Sequence, residues 1–407
     1  MKLQKLSVLA LALASLGQPL SAYATNGYFT HGYGVRSQGV AGVGIALPQD
    51  GLAAASNPAG TALVGDRLDL GLTYFKPDRG TRFRSGAGTT ELSANDTTSF
   101  LIPELGYTRQ ISPFLGVGLA IYGNGGMNTD YAVNPFGAPG RAGIDMAQLF
   151  VTPSVAYRVH ENHTLGLGVT YAHQRFEARG IGGFAGMSSA PGALSDRGHD
   201  SGSGWGIKLG WTGQVLPTLR LGVNWSSRIE MDRFDKYRGL FAEGGGFDIP
   251  ANYGLGLAWQ ALPALTLAAD WQRIEFGSVR SVGNHINAGG PLGAANGSGF
   301  GWNNISVVKL GAIYAYDQRL TLRAGVSRAQ QAVPASETFF NILAPGVVRN
   351  HYSLGASYRI QGGELSAAYT YVPEVTVSGN TPVQPGGPYA DLHMRQNILA
   401  VGYSWLF

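Results

Sequence analysis

The 407-residue chain has 61 glycines, no cysteine and only 13% charged residues, and no shift of composition divides it into the two or three soluble domains its length would allow. Its formal charge of +4 falls to +2 when Lys2 and Lys5 leave with a cleaved leader, which leaves no basic footprint for nucleic acid. Beyond that leader no run reaches roughly 18 apolar residues, which excludes a helical membrane span, and the lack of cysteine suits an oxidising periplasm without requiring one.

Residues 1–24 read as a secretory signal: Lys2 and Lys5, an apolar run over residues 6–16, then the small-residue site Ala22-Tyr23-Ala24. The mature chain is expected to begin at Thr25. Residues 25–65 follow a different pattern, with 37–60 nearly all Gly, Ala, Val, Ser and Asn and no strand alternation. Such a segment is too apolar for a solvated tail and too small in side chain to build its own core. It is expected to pack inside another structure as a plug, or hatch. Within it Asn57-Pro58-Ala59 is a turn signal, because proline fixes its own φ and restricts the residue before it.

From residue 66 onward period-two alternation predicts fourteen strands, at about 66–77, 97–111, 114–123, 146–159, 162–177, 201–215, 217–231, 247–260, 263–277, 300–316, 318–330, 346–360, 362–377 and 390–407. Their connections alternate between turns of one or two residues and long loops rich in Gly and Pro. This is the asymmetry of short periplasmic turns and long extracellular loops, and an even count returns both termini to the periplasmic side. In the last strand Leu399, Val401, Tyr403, Trp405 and Phe407 are bulky while the residues between them are small. No later element can cover that face, so it is expected to meet lipid. A strand ending on Phe407 resembles the closing strand of bacterial outer-membrane barrels, whose end is read by the barrel assembly machinery. Sixteen strands leave an aqueous channel, so fourteen would be close to leaking and the plug implies an occluded path.

Alternation places Asp69, Glu104, Lys208, Arg220, Asn224, Asp270, Lys309, Arg323 and Glu364 inside; a Lys or Arg facing lipid at the midplane would cost about 2–4 kcal/mol. Two readings stand for the cations Lys208, Arg220, Lys309 and Arg323. They pair with wall charges or plug backbone, or one of them meets the carboxylate of a fatty acid. The long loops carry Ile181, Phe184, Phe234, Tyr237, Phe241, Phe247, Phe339 and Phe340. These either pack on one another or form an apolar capture surface.

Asn26-Gly27-Tyr28-Phe29, the glycine run from Gln38-Gly39 to Gly44, Ala53-Ala54-Ala55, Asn57-Pro58-Ala59, the late strand Ser353-Leu354-Gly355-Ala356-Ser357-Tyr358 and the final aromatic together resemble the FadL family of long-chain fatty-acid and hydrocarbon channels. The resemblance implies a fourteen-stranded antiparallel transmembrane barrel over residues 66–407 with the hatch, residues 25–65, in its lumen. It implies a ligand pocket near Tyr28 and Phe29. It also implies an inward kink in the third strand, here carrying Gly116, Gly118, Gly123, Gly125 and Gly126, that opens the wall sideways near Asn57, Pro58 and Ala59.

No nucleophile elbow, phosphate loop or cysteine metal motif occurs. His160 and His163 flank a turn with Glu161, and His173 and His351 fall on opposite faces. No enzyme activity, metal or cofactor is expected. The expected function is passive outer-membrane uptake of a hydrophobic small molecule by a monomer whose other partners are outer-membrane lipid, lipopolysaccharide and the assembly machinery. A gated channel for polar solutes is the alternative, and a loop-displaying adhesin a third.

Overall fold

The computed structural model of the protein describes residues 26–382 and 386–407. The expected leader and Thr25 lie outside the described residues. Among the described residues sixteen strands join in one antiparallel sheet. They are β1 (Arg67–Ser85), β2 (Gly88–Ser93), β3 (Phe100–Gln110), β4 (Leu115–Tyr131), β5 (Ala142–His160), β6 (His163–Arg179), β7 (Asp200–Leu216), β8 (Leu219–Ser226), β9 (Glu230–Met231), β10 (Asn252–Leu262), β11 (Leu265–Ile274), β12 (Ile305–Ala315), β13 (Leu320–Ala329), β14 (Asn350–Ile360), β15 (Gly363–Val377) and β16 (Tyr389–Leu406). β2 extends β1 as a hairpin and β9 adds two residues to β7. The other fourteen close into a barrel, β16 pairing with β1 from Arg67↔Leu406 to Arg84↔Tyr389. Closure joins the first strand to the last, as a spanning sheet requires.

The alternation that forms these strands also sorts their faces. In β6 Thr164, Gly166, Gly168 and Thr170 are buried while Leu165, Leu167 and Val169 are exposed on the outer surface. The same rule buries Asp69, Glu104, Lys208, Asn224, Asp270, Lys309, Arg323 and Glu364 inside and leaves Val308, Leu310, Leu399 and Val401 outside. Arg220 is only half-buried, near the β7–β8 turn. Phe407 sits beside the first strand, its N–H donating to the Asp66 carbonyl at 3.2 Å, so the start of the barrel and its end share one rim.

Several strand ends differ from the sequence reading: β10 and β12 begin at Asn252 and Ile305 rather than 247 and 300, β5 begins at Ala142 rather than 146 and β14 at Asn350 rather than 346, and three strands differ at their far ends. β1 runs to Ser85 rather than stopping at 77. Pro77 is tolerated there because β1 pairs with β3 only as far as Phe75↔Phe100 and meets β2 only at Gly80, so between them it has β16 alone as a neighbour. β4 runs to Tyr131 rather than 123, its glycines being absorbed by a register shift against β5 between Gly123 and Gly125. β8 ends at Ser226 instead of 231.

Residues 26–63 are mostly buried against the inward side chains of the wall. They form two short helical turns, Val35–Gln38 and Ala53–Ser56, and a 3-10 turn, Pro58–Ala62. Wall side chains grip this segment chiefly through its backbone. Asp270 accepts from Gly44 N at 2.8 Å and Ile45 N at 3.1 Å, and Asp69 accepts from Gly51 N at 2.7 Å. Glu104 accepts from Gly34 N at 3.1 Å. Acidic groups thus meet amides, satisfying donors that would otherwise be buried unpaired. One side-chain ion pair joins the two parts, Arg36 Nη2 to Glu364 Oε1 at 2.6 Å.

Candidate functional site

At the extracellular end the loop aromatics converge. Phe184 lies 5.1 Å from Phe136, Phe339 lies 5.7 Å from Phe136 and 5.6 Å from Phe340, and Phe241 lies 4.6 Å from Phe176 between ring centroids. The Phe136 contacts are edge-to-face, the Phe176–Phe241 contact is tilted and Phe339 stacks on Phe340, and edge-to-face and offset-stacked pairs are the geometries that aromatic quadrupoles favour. They do not fill the space between them. A partly open cavity is lined by Phe136, Phe176, Phe184, Phe241, Phe300 and Phe340 with aliphatic neighbours. Of the loop residues singled out by sequence, Ile181, Phe184, Phe241 and Phe340 line it, Phe339 backs it, and Phe234 is fully buried behind Phe176 and Phe241.

Below this layer Tyr28 and Phe29 form the floor of an aromatic nest. Tyr28 sits 5.0 Å from Phe276, 5.8 Å from Phe247 and 5.8 Å from Trp302, and Phe29 sits 5.5 Å from Phe276. Burial, and next the Asp248 carboxylate, push the Tyr28 hydroxyl well above its usual range, so it stays neutral. Phe29 also lines a second cavity in the lumen, together with Tyr33, Asn124, Lys208, Asn224 and Lys309.

The four cations have separate surroundings. Lys208 donates to the Ala55 carbonyl at 2.8 Å and stands 6.0 and 5.6 Å from the ring centres of Tyr33 and Tyr122. An ammonium carries three donors, and this one borders open space. Lys309 lines the same cavity but donates to the carbonyls of His31 and Gly42 at 3.0 and 3.1 Å and lies opposite Asp270 in register. Arg323 is engaged by Gln49 Oε1 at 2.9 Å and Ser357 Oγ at 2.7 Å, and Arg220 by Gln214 Oε1 at 3.2 Å; neither lines a described cavity.

β4 is interrupted on one side. Its ladder with β3 ends at Leu105↔Ile121, although β3 continues to Phe100 and β4 to Tyr131. Above that level the N-terminal segment takes over as the partner of β4. Phe29 bridges Gly125, Thr30 N donates to Asn124 O at 2.9 Å and Gly126 N to Tyr28 O at 2.9 Å. Only glycine fits at 125, since a Cβ there would lie 1.8 Å from the Tyr28 carbonyl oxygen. Asn57, Pro58 and Ala59 are elsewhere. Asn57 Nδ2 donates to the carbonyls of Ile45, Trp211 and Val223 at 2.8, 3.1 and 3.3 Å, while a Cβ on Gly166 would collide with Ala59 N at 2.1 Å. On β4 that turn region meets Gly116 and Gly118 through Ala62 and Thr61, not the bulge at 123–125.

At the top of the gap stands Arg79, which the sequence reading did not single out. It has no exposed surface. Its Nε donates to Asn128 O at 2.8 Å, and its Nη2 to Asn128 Oδ1 at 2.7 Å and Thr97 O at 3.0 Å; Nη1 reaches Asn95 Oδ1 at 3.2 Å. It ties β1 and the 94–97 loop to β4 where β3 is missing. Phe136, Phe176 and Phe300 were also missed; Phe176 and Phe300 fall within the expected strands 162–177 and 300–316, and Phe136 on a loop whose approach is set only by closure.

A closed barrel with an apolar outer face, a filled lumen and stacked cavities defines a plugged transport protein of the bacterial outer membrane. A family model described as outer membrane protein transport protein (OMPP1/FadL/TodX) matches residues 21–407, and the chain belongs to that family. It is 24% identical over 401 residues to the long-chain fatty acid transport protein of Salmonella typhi, covering 89% of this chain and 88% of that one. Its counterpart in Escherichia coli K12 is 22% identical over 412 residues with the same coverages. Among solved structures, a Pseudomonas aeruginosa FadL homologue superposes with a TM-score of 0.70 at 19% identity, covering 93% of this chain and 99% of that one. The Pseudomonas putida toluene transporter TodX gives 0.67 at 18% identity, covering 94% and 100%.

Proposed function

We propose that the protein passes hydrophobic molecules, long-chain fatty acids or hydrocarbons, across the outer membrane without an energy source. The observation that carries this is the sequence of spaces: an almost wholly apolar cavity among the loops, then the Tyr28 and Phe29 nest, then a lumenal cavity that adds two ammonium groups, of which that of Lys208 keeps donors to spare. A greasy solute is drawn from a polar cell surface into the first space by burial of its apolar area, and metabolism beyond the membrane keeps the gradient. The names of the relatives support the same class of solute. Residues 25–65 act as the gate of this path, and the missing β3–β4 ladder offers a sideways exit into lipid. The protein works as a monomer, in contact with lipid and lipopolysaccharide and inserted by the barrel assembly machinery.

Of the four cations, Lys208 is the one that meets an anionic head group, because it borders the lumenal cavity and has donors to spare. The experiment compares cells lacking the protein with cells carrying wild type or Lys208→Met. Deletion should abolish the specific uptake of oleate and of an alkylbenzene. K208M should lower oleate uptake roughly tenfold, the scale of one charge-assisted hydrogen bond, and leave the alkylbenzene unchanged. Uptake of both solutes at wild-type rates after deletion would refute the function; equal losses of both in K208M would refute the assignment of Lys208.

A further inference from the structure

A third, small space lies between the hatch and the interrupted wall, lined by His31, Gly32, Tyr33, Ile102, Glu104 and Gly123 among others. Ile102 and Glu104 belong to the part of β3 that lacks β4 as a partner, and Gly123 begins the bulge of β4. This space therefore adjoins the gap from inside. Tyr33 is the one described residue that lines both it and the lumenal cavity. Its hydroxyl donates to Asn124 Oδ1 at 2.8 Å, its ring stands edge-on to Tyr122 at 4.7 Å, and it is only half-buried. Asn124 is the bulged residue itself and is fixed by its Nδ2 on Gln148 Oε1 at 3.0 Å. Gly32 and Gly34 flank Tyr33, and Gly34 has φ 85°, so the backbone on either side of the ring is free of side chains.

We propose that Tyr33 is the door between the lumenal cavity and the wall-side space, and that Asn124 is the catch that holds it shut. The inference rests on the function proposed above. Opening needs no unfolding of the hatch: the ring turns about its side-chain bonds and gives up one neutral hydrogen bond. Lys208 stands 6.0 Å from the same ring, so a head group held there already lies against the door. Tyr33 acts on passage, not on capture, and its substitution separates the two.

The test is concentration-dependent uptake of radiolabelled oleate by cells carrying wild type, Tyr33→Phe, Asn124→Ala or Tyr33→Trp, with heat-modifiable gel migration reporting the folded barrel. Y33F and N124A remove the catch from opposite sides. Each should raise the maximal rate roughly fivefold, the factor for one neutral hydrogen bond, while the half-saturating concentration moves less than twofold. Y33W, which enlarges the door, should lower the maximal rate by a similar factor. Because the two loosening variants alter different elements, loss of folding in one leaves the other to decide. Rates within twofold of wild type in all folded variants, or a fall in Y33F and N124A, overturn the door. Absence of oleate uptake by wild type itself overturns the proposed function first, and the door with it.

Discussion

Asp50 shows how a single buried group in the hatch couples its seating to pH. Its Oδ1 accepts from Leu52 N at 3.0 Å, and burial, with the Asp69 carboxylate next, pushes its carboxyl up from 3.8 to about 6. A carboxyl that holds its proton more tightly when folded adds stability in acid. That contribution is fully present below about pH 4 and is lost as the pH rises through about 6. Asp50→Asn abolishes this titration, so the melting temperature of wild type minus that of D50N should fall between about pH 4 and 6.5 and then stay level. A difference that rises over this range would contradict the burial of Asp50. At this scale the sequence was informative about direction and silent about company. Alternation told that Lys208 and Lys309 point inward, but not that on the same cavity one meets a single carbonyl and the other two, since height along the barrel and the path of the hatch decide that.

Among the elements β4 departs furthest from a regular strand, and its upper half relies on partners that are not its sheet neighbours. Arg79 is the principal one on the β1 side. A buried guanidinium with only neutral acceptors costs desolvation that a surface residue avoids, and its return here is the span it makes over the gap. Arg79→Met removes all four side-chain contacts. Amide hydrogen exchange should then speed up by an order of magnitude or more over residues 124–131, while residues 115–121, still paired on both sides, keep their protection. Uniform exchange along β4 would show that Arg79 does not hold it. The count of strands was legible because each carries its own alternation. Their ends were less so. Pro77 and the glycines at 123–126 look like terminators in isolation, and only the loss of β3 as a neighbour explains why the chain continues through them.

For the whole molecule the decisive contrast is with an open pore. Fourteen strands enclose a lumen in which residues 26–63 are packed against Asp69, Glu104, Lys208, Asp270 and Lys309. In planar bilayers the protein should therefore show no large steady conductance steps, and deletion of residues 26–63 should produce them. Steady steps from the intact protein would favour the polar-solute channel instead. The barrel and its enclosed segment could be read from alternation, turn lengths and the lack of any other place for a small apolar stretch. The loop cavity could be anticipated only as a set of misplaced aromatics, because which loops meet is fixed by barrel closure and not by any local pattern. The rings touch one another and still leave a space between them.

The wall holds the hatch by its amides and carbonyls, groups that every residue except proline carries alike. Attachment is thus largely indifferent to which side chains the hatch bears, provided the inner wall keeps its small residues at the points of closest approach. Selection can then rewrite the inner segment, and with it the shape of the passage, without re-engineering the cylinder around it. Transplanting residues 26–63 from a distant family member should accordingly yield a seated chimera whose solute preference follows the donor.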